Sequence, residues 1–143
     1  HVRSRRQRQM CIRDSPGVLL VDATHDRCSV YAEVVRENRR ALELARDARG
    51  RAFELIELFE ASAAVDHRAE VFCASYTNFY LANGAVIMPA YGIAADQQAA
   101  QVLARAFPDR QVVPVRINHL AHGGGGVHCI TQQQPQWPTR AQA

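Results

Sequence analysis

The residues best suited to chemistry lie in one short stretch, GGGGVHCITQQQP, at positions 123–135. It joins four consecutive glycines to His128 and Cys129, and two more histidines, His119 and His122, lie just before it. Glycine lets the backbone approach a ligand closely, histidine transfers protons, and a cysteine thiolate is a strong nucleophile. The stretch therefore suggests a phosphate cradle, a metal site or a nucleophilic cysteine.

Phosphate and metal binding both fit this stretch poorly. A phosphate-binding loop continues from its glycines into Gly-Lys and a hydroxyl residue, and a dinucleotide-binding loop opens a helix. Here Val127 and His128 follow, and we predict a strand over 127–130. Neighbouring residues on a strand point to opposite faces, so His128 and Cys129 should not converge on one ion. We expect no bound nucleotide, metal or other cofactor.

Cys129 is the candidate nucleophile. The glycines before it would let the backbone of Gly124, Gly125 and Gly126 approach a bound substrate. A thiol in water has a pKa near 8.5, so a nearby cation such as a cationic substrate would raise its thiolate fraction. The alternative is that Cys129 is a small buried hydrophobic residue, as many single cysteines are. The local sequence leaves both interpretations open.

A first β-α-β unit is predicted between residues 18 and 59. Hydrophobic patterning indicates a strand at 18–23, a helix at 31–48 and a strand at 53–59, with Gly50 in the C′ position that ends the helix. Residues 60–74 show no clean period and form a linking loop.

The same order of elements recurs downstream. We predict a strand at 85–91, a helix at 95–107 and a strand at 111–117. Two copies of one supersecondary unit indicate a repeat architecture, in which a single unit cannot bury its own apolar faces.

A hairpin at Asn83 and Gly84 is predicted to lead into the second unit, because Asn-Gly strongly favours a type I′ turn. This register pairs Leu81 with Val86 on an apolar face. Asn78 lies on the other face between two tyrosines, where it either walls a site or is a hydrogen-bonded structural amide.

Composition favours one globular domain. The chain has 143 residues, 48% of them hydrophobic and 22% charged, and no apolar run approaches the ~20 residues of a membrane helix. The net charge is +3, but five arginines against one aspartate place the positive excess within residues 1–15. The remainder is close to neutral, so neither a nucleic acid nor a membrane is an expected partner.

Residues 1–15 form an Arg-rich segment that we expect to be foreign to the fold. RRQRQMCIRDS resembles translated sequencing-adapter sequence and lacks the amphipathic pattern of a transit peptide. The four cysteines are widely spaced and include no C-x-x-C pair, which favours reduced thiols and a cytoplasmic location.

Two segments carry a family resemblance. SYTNFYLANGAVIMPAYG at 75–92 and GGGGVHCITQQQP at 123–135 resemble C-terminal motifs of the agmatine deiminase family, relatives of the bacterial-type peptidylarginine deiminases. The similarity extends from Pro16 to Gln136. It implies that 16–136 is the C-terminal part of a deiminase domain and that 137–143 is a frayed tail.

This resemblance implies an α/β fold of pentein type, a fivefold αβ propeller of which about two repeats are present. It also implies that Cys129 attacks the guanidinium carbon of agmatine, and that water then releases N-carbamoylputrescine, a polyamine precursor. The family's catalytic histidine and guanidinium-binding carboxylates lie in earlier repeats. His128 does not match that histidine, and the acids here show no sign of replacing those carboxylates (Asp22, Asp26, Asp66, Asp96 and Asp109).

The resemblance leaves several expectations. The partner is a small guanidinium substrate, no cofactor or metal takes part, and the oligomeric state cannot be read. The 143 residues alone should be inactive. The alternatives are deimination of free or peptide-bound arginine, and a non-catalytic binding role of the kind that the pentein fold plays in a ribosome anti-association factor.

Overall fold

The computed structural model describes residues 10–11, 17–28, 30–65 and 71–134. Within them, the chain forms two three-stranded sheets and three α-helices. None of these helices is long and apolar enough to cross a membrane. The strands are β1 (Met10–Cys11), β2 (Val18–Ala23), β3 (Glu54–Phe59), β4 (Tyr80–Ala82), β5 (Ala85–Ala90) and β6 (Gln111–Arg116), and the helices are α1 (Val30–Leu44), α2 (Ala95–Ala106) and α3 (Asn118–Ala121).

Both predicted β-α-β units are confirmed. Strands β2 and β3 pair in parallel and α1 connects them, while β5 and β6 pair in parallel and α2 connects them. An antiparallel strand flanks each pair: β1 lies on β2, and β4 lies on β5. The two units therefore share one β-β-α-β plan. Strand β1 falls within the segment 1–15 and was not predicted.

Helix α1 is shorter than the predicted span of 31–48, because a local turn competes with it after Leu44. The carboxylate of Asp47 accepts hydrogen bonds from the backbone N–H groups of Arg49 at 2.8 Å and Arg51 at 2.9 Å. Gly50, with φ 76°, lies inside this turn, so its predicted place at the C′ position of the helix is wrong.

The second unit carries most of the buried core. Ala99 and Leu103 of α2 are buried, and Leu103 packs in a cluster with Val86 and Met88 of β5. Phe107, which follows α2, stacks edge to face on Phe79 at 5.6 Å. This core fixes the hairpin and the segment before it against α2.

The hairpin has the predicted register but not the predicted turn. Leu81 pairs with Val86 as expected. A type I′ turn needs positive φ at both central residues, whereas only Gly84 has it, at 71°. The type I′ prediction is therefore wrong. Asn83 keeps the negative φ that residues with a Cβ prefer, and Gly84 alone adopts the left-handed conformation.

The strand predicted at 127–130 is absent from the structure, and a 3-10 helix spans His128–Ile130 instead. Val127 has helical dihedrals, with φ −55° and ψ −45°, and the Cys129 N–H donates to the Gly126 carbonyl at 3.1 Å. The strand-alternation argument, which separated His128 from Cys129, therefore does not apply. A tertiary contact with Asn78, described below, occupies the His128 N–H.

Candidate active site

Cys129 is solvent-exposed on the 3-10 helix that follows the glycine run Gly123–Gly126. The alternative of a buried hydrophobic cysteine is therefore wrong for this position. The first two glycines close α3: the Gly123 N–H donates to the Leu120 carbonyl at 3.0 Å, and the Gly124 N–H donates to the Ala121 carbonyl at 2.9 Å. Gly124 has φ 72°, a conformation that favours glycine, so the run turns the chain sharply from α3 towards Cys129.

Asn78 connects the hairpin segment to the Cys129 helix. Its side-chain Oδ1 accepts a hydrogen bond from the His128 N–H at 2.9 Å, and its Nδ2 donates to the Cys129 Sγ at 3.3 Å. Asn78 is buried, with 5% of its surface exposed. Asn78 is thus both a hydrogen-bonded structural amide and a residue that borders the candidate nucleophile.

The last two glycines of the run lie against these side chains. A Cβ atom at Gly126 would lie 2.7 Å from the Asn78 Cγ, and one at Gly125 would lie 3.3 Å from the Cys129 Cβ. Gly126 is thus needed for the close approach of Asn78. Backbone contact of Gly124, Gly125 and Gly126 with a substrate remains a prediction.

The histidines near the stretch do not assemble into a metal site. Across the described ranges, no three His, Cys, Asp or Glu side chains lie close enough together to hold a metal ion. His122 stacks edge to face on Phe72, with ring centroids 5.3 Å apart, and the side chain of His128 is exposed.

Comparison with known proteins places this geometry in a family. The sequence model of the Porphyromonas-type peptidyl-arginine deiminases matches residues 9–135. The chain belongs to this deiminase family. A protein assigned as an agmatine deiminase in Streptomyces coelicolor is 39% identical over 128 residues, covering 85% of this chain and 36% of that protein. The agmatine deiminase of Medicago truncatula is 37% identical over 145 residues, covering 88% of this chain and 39% of that protein.

Solved deiminase structures share the fold. The agmatine deiminase of Enterococcus faecalis superimposes with a TM-score of 0.76 at 28% identity, covering 83% of this chain and 37% of that one. The predicted family and the predicted α/β pentein fragment are confirmed. The chain spans little more than a third of the length of the curated relatives it matches.

Asp22 of this deiminase-family chain stabilises the segment that presents Asn78. The Asp22 Oδ1 accepts hydrogen bonds from the Ser75 Oγ at 2.8 Å and from the Thr77 Oγ1 at 3.0 Å. Asp22 lies on β2 of the first unit, whereas Ser75 and Thr77 precede the hairpin of the second. The carboxylate therefore joins the two units directly beside Asn78.

Asp96 supports the same region from the start of α2. Its carboxylate accepts hydrogen bonds from the Tyr76 hydroxyl at 2.6 Å and from the backbone N–H groups of Tyr91, Gly92 and Ile93. Burial alone would raise the pKa of Asp96, but these hydrogen bonds outweigh burial and hold the pKa below its ordinary value. Asp96 is therefore a structural anion in this deiminase-family fold. Asp66, another acid considered in the sequence, lies outside the described residues.

A cavity of about 250 Å³ between β2 and α1 is not lined by Cys129. Tyr31, Asn38 and Asp22 are among its lining residues. The candidate site of this deiminase-family chain is therefore the exposed Cys129 surface and not this cavity.

Proposed function

We propose that this chain is the part of an agmatine deiminase that carries the nucleophile, Cys129. The observation that carries the proposal is the exposed thiol held 3.3 Å from the Asn78 amide, at the end of a glycine run. The names of the relatives support agmatine as the substrate. A thiol presented in this way can form and release a covalent intermediate.

The proposed reaction has two steps. The Cys129 thiolate forms a bond to the guanidinium carbon of agmatine, and the C–N bond to one terminal nitrogen then breaks to release ammonia. Water next adds to the same carbon and the C–S bond breaks, which restores the thiol and leaves N-carbamoylputrescine. The balance is agmatine plus water giving N-carbamoylputrescine plus ammonia, and no redox cofactor or metal is required.

The charge of the substrate calls for groups besides Cys129 and Asn78. A guanidinium remains protonated at neutral pH and is best held by carboxylates. Asp22 and Asp96 are already engaged with hydroxyl and backbone donors. We propose that the guanidinium-binding carboxylates and the proton-transferring histidine belong to the two thirds of the relatives' length that this chain does not match, and that the 143 residues alone are inactive.

A chimera would test this function. In the Medicago truncatula agmatine deiminase, the segment that this chain matches would be replaced by residues 16–136. The Medicago enzyme then supplies the rest of the domain. We expect ammonia and N-carbamoylputrescine from agmatine, complete loss with Cys129→Ala, and normal turnover in the matched control Cys28→Ala, because Cys28 is exposed in a loop of the first unit. Turnover by the Cys129→Ala chimera would contradict the proposal.

Arginine in peptides is the second candidate substrate, because the matching family is described as peptidyl-arginine deiminases. The same chemistry serves both substrates. Assaying the chimera with agmatine, free arginine and a peptide that contains arginine separates them. A chimera that folds but converts none of the three would favour the remaining alternative, a non-catalytic binding protein.

The proposal extends to location and to the Arg-rich segment. We propose a cytoplasmic protein with a small-molecule substrate and no nucleic-acid or membrane partner. We also propose that residues 1–15 are of foreign origin, although the family match begins at residue 9 and Met10–Cys11 pairs with β2. Resequencing the source DNA across the codons for Ser15 and Pro16 tests this, since an uninterrupted genomic reading frame would show the segment to be native.

A further inference from the structure

We propose that Asn78 acts directly on the nucleophile, orienting the Cys129 sulfur and stabilising its ionised form through a hydrogen bond from Nδ2. The proposal rests on the proposed function only in taking Cys129 as the reacting residue. It goes beyond that function by assigning a chemical task to a buried amide that precedes the hairpin, 51 residues away in sequence.

The orientation of the amide follows from its partners. The Asn78 Oδ1 faces a backbone N–H, that of His128, which can only donate. The amide nitrogen is therefore the atom nearer the Cys129 sulfur, at 3.3 Å, while Oδ1 lies 3.7 Å from the same sulfur. A flipped amide would place two donors together at His128 and would put the acceptor, instead of the donor, nearest the sulfur.

The same amide nitrogen lies 3.8 Å from the Sγ of Cys73. Cys73 is only 1% exposed, whereas Cys129 is exposed, so a substrate can reach only one of the two sulfurs that border the amide. The amide thus spans the boundary between the core and the candidate active-site surface, with its polar atoms in contact with both.

Asn78 is held rigidly enough to act in this way. Thr77, next to it in sequence, is anchored on the Asp22 carboxylate at 3.0 Å. On the other side Gly126 packs against the Asn78 side chain with no room for a Cβ. A donor fixed before the reaction stabilises charge without the cost of reorganising at each turnover.

The chemistry needs such a donor at two moments. The sulfur is negative when it attacks the guanidinium carbon, and it regains that charge when the C–S bond breaks after water has added. Between these steps it is an uncharged thioether. A hydrogen bond to sulfur is strongest when the sulfur is charged, so Asn78 favours formation of the thiolate and its departure.

The test measures Cys129 itself and uses no substrate. Iodoacetamide alkylation of each cysteine in the 143-residue chain would be followed across pH by peptide mass spectrometry. Asn78→Leu removes the amide donor without adding charge, and the His128 N–H keeps the Asn78 main-chain oxygen at 3.1 Å as its acceptor. We expect the pH of half-maximal Cys129 alkylation to rise by about one unit, an approximately tenfold change in thiolate population.

Two comparisons separate this effect from a structural one. Asn118→Leu makes the same change at an amide that donates to the Tyr91 carbonyl, and it should leave the Cys129 profile unchanged. Asn78→Asp should raise the half-maximal pH further, since it replaces the donor by a carboxylate. A shift in Asn78→Asp without one in Asn78→Leu would mean that added charge alone acts, and would overturn the proposal.

Alkylation of the buried Cys73 would reveal an Asn78 variant that does not fold. A second measurement, made without an Asn78 variant, covers that case. In the wild-type chain, the Asn78 side-chain amide resonances should move with the same pH midpoint as Cys129 alkylation. In Cys129→Ser the chemical shifts of this amide should not change across the same pH range. Asn78 amide chemical shifts that do not change as the Cys129 thiol ionises in a folded chain would overturn the proposal. Failure of the chimera to convert agmatine would bear on the proposed function alone.

Discussion

The Tyr76 hydroxyl donates to the Asp96 carboxylate at 2.6 Å, and this pair joins the segment before the hairpin to the start of α2. Three backbone N–H groups complete the coordination of the same carboxylate. Burial and the adjacent Asp96 raise the pKa of Tyr76, while the donors lower the pKa of Asp96. At neutral pH the ionised carboxylate and the neutral phenol are therefore the stable partners.

Asp96→Asn should lower the free energy of unfolding by about 1–3 kcal/mol at neutral pH, because one acceptor oxygen becomes an amide donor and the other loses its charge. A lowered pKa contributes stability that is present above the ordinary aspartate pKa and is lost as the pH falls through the folded-state value. The difference between wild type and Asp96→Asn should therefore shrink towards about pH 2. Denaturant unfolding at both pH values measures it.

Asp26→Asn is the matched control for Asp96, since Asp26 is exposed and accepts one backbone bond, from Cys28. Its effect on unfolding at neutral pH should be smaller. An equal loss in the two variants would contradict a special role for the half-buried Asp96 carboxylate.

Gly126→Ala should destabilise the chain by about 1–3 kcal/mol, since its Cβ would lie 2.7 Å from the buried Asn78 side chain. Gly123→Ala, in the same glycine run, meets only the Leu120 carbonyl at 3.3 Å and should cost less. Thermal unfolding ranks the two variants. Equal melting temperatures would show that Asn78 yields to the added methyl group.

Cys129 should react with iodoacetamide faster than the other described cysteines at neutral pH. Cys28 is also exposed, so it reports the rate of an ordinary accessible thiol. Cys73 should be protected by burial until the chain unfolds. Quantifying each labelled peptide over time gives the order, and a Cys28 rate equal to that of Cys129 would contradict an activated thiol.

Thr77→Val should weaken the junction between the two β-α-β units. Valine keeps the shape of threonine but removes the hydroxyl that bonds to Asp22 at 3.0 Å, which should lower the free energy of unfolding by about 1 kcal/mol. Because Asn78 follows directly, Cys129 alkylation should slow as well. Thr131→Val is the control for the free energy of unfolding alone, since its exposed hydrogen bond to the His128 carbonyl does not involve Asp22. A free energy of unfolding equal to that of the wild type in Thr77→Val would contradict the claim that this bond stabilises the junction.

Local pattern was sufficient to predict both β-α-β units, because apolar spacing and burial coincide in them, as at Ala99 and Leu103. It failed at Gly50, where the Asp47 side chain offers the backbone a turn that competes with the helix. Propensity averages over such competing hydrogen bonds, so the end of α1 could not be placed from its apolar stripe.

The candidate site was only half accessible to sequence reasoning. Cys129 could be singled out from its neighbours, but the sequence VHCI favours a strand by composition, and only the contact between His128 and Asn78 shows why a 3-10 helix forms instead. That contact joins residues 50 positions apart. No local period encodes it, which is also why Asn78 was left between a structural and a functional interpretation.

The packing of Gly126 on Asn78 has an evolutionary consequence. A larger residue at position 126 would require a smaller one at position 78, since the two share a space that admits a single side chain. Among related deiminases, these two positions should therefore coevolve, and a substitution at one should be tolerated only after a compensating change at the other. Mutational paths through this family would then have to alter the amide beside the nucleophile before they could alter the glycine that accommodates it.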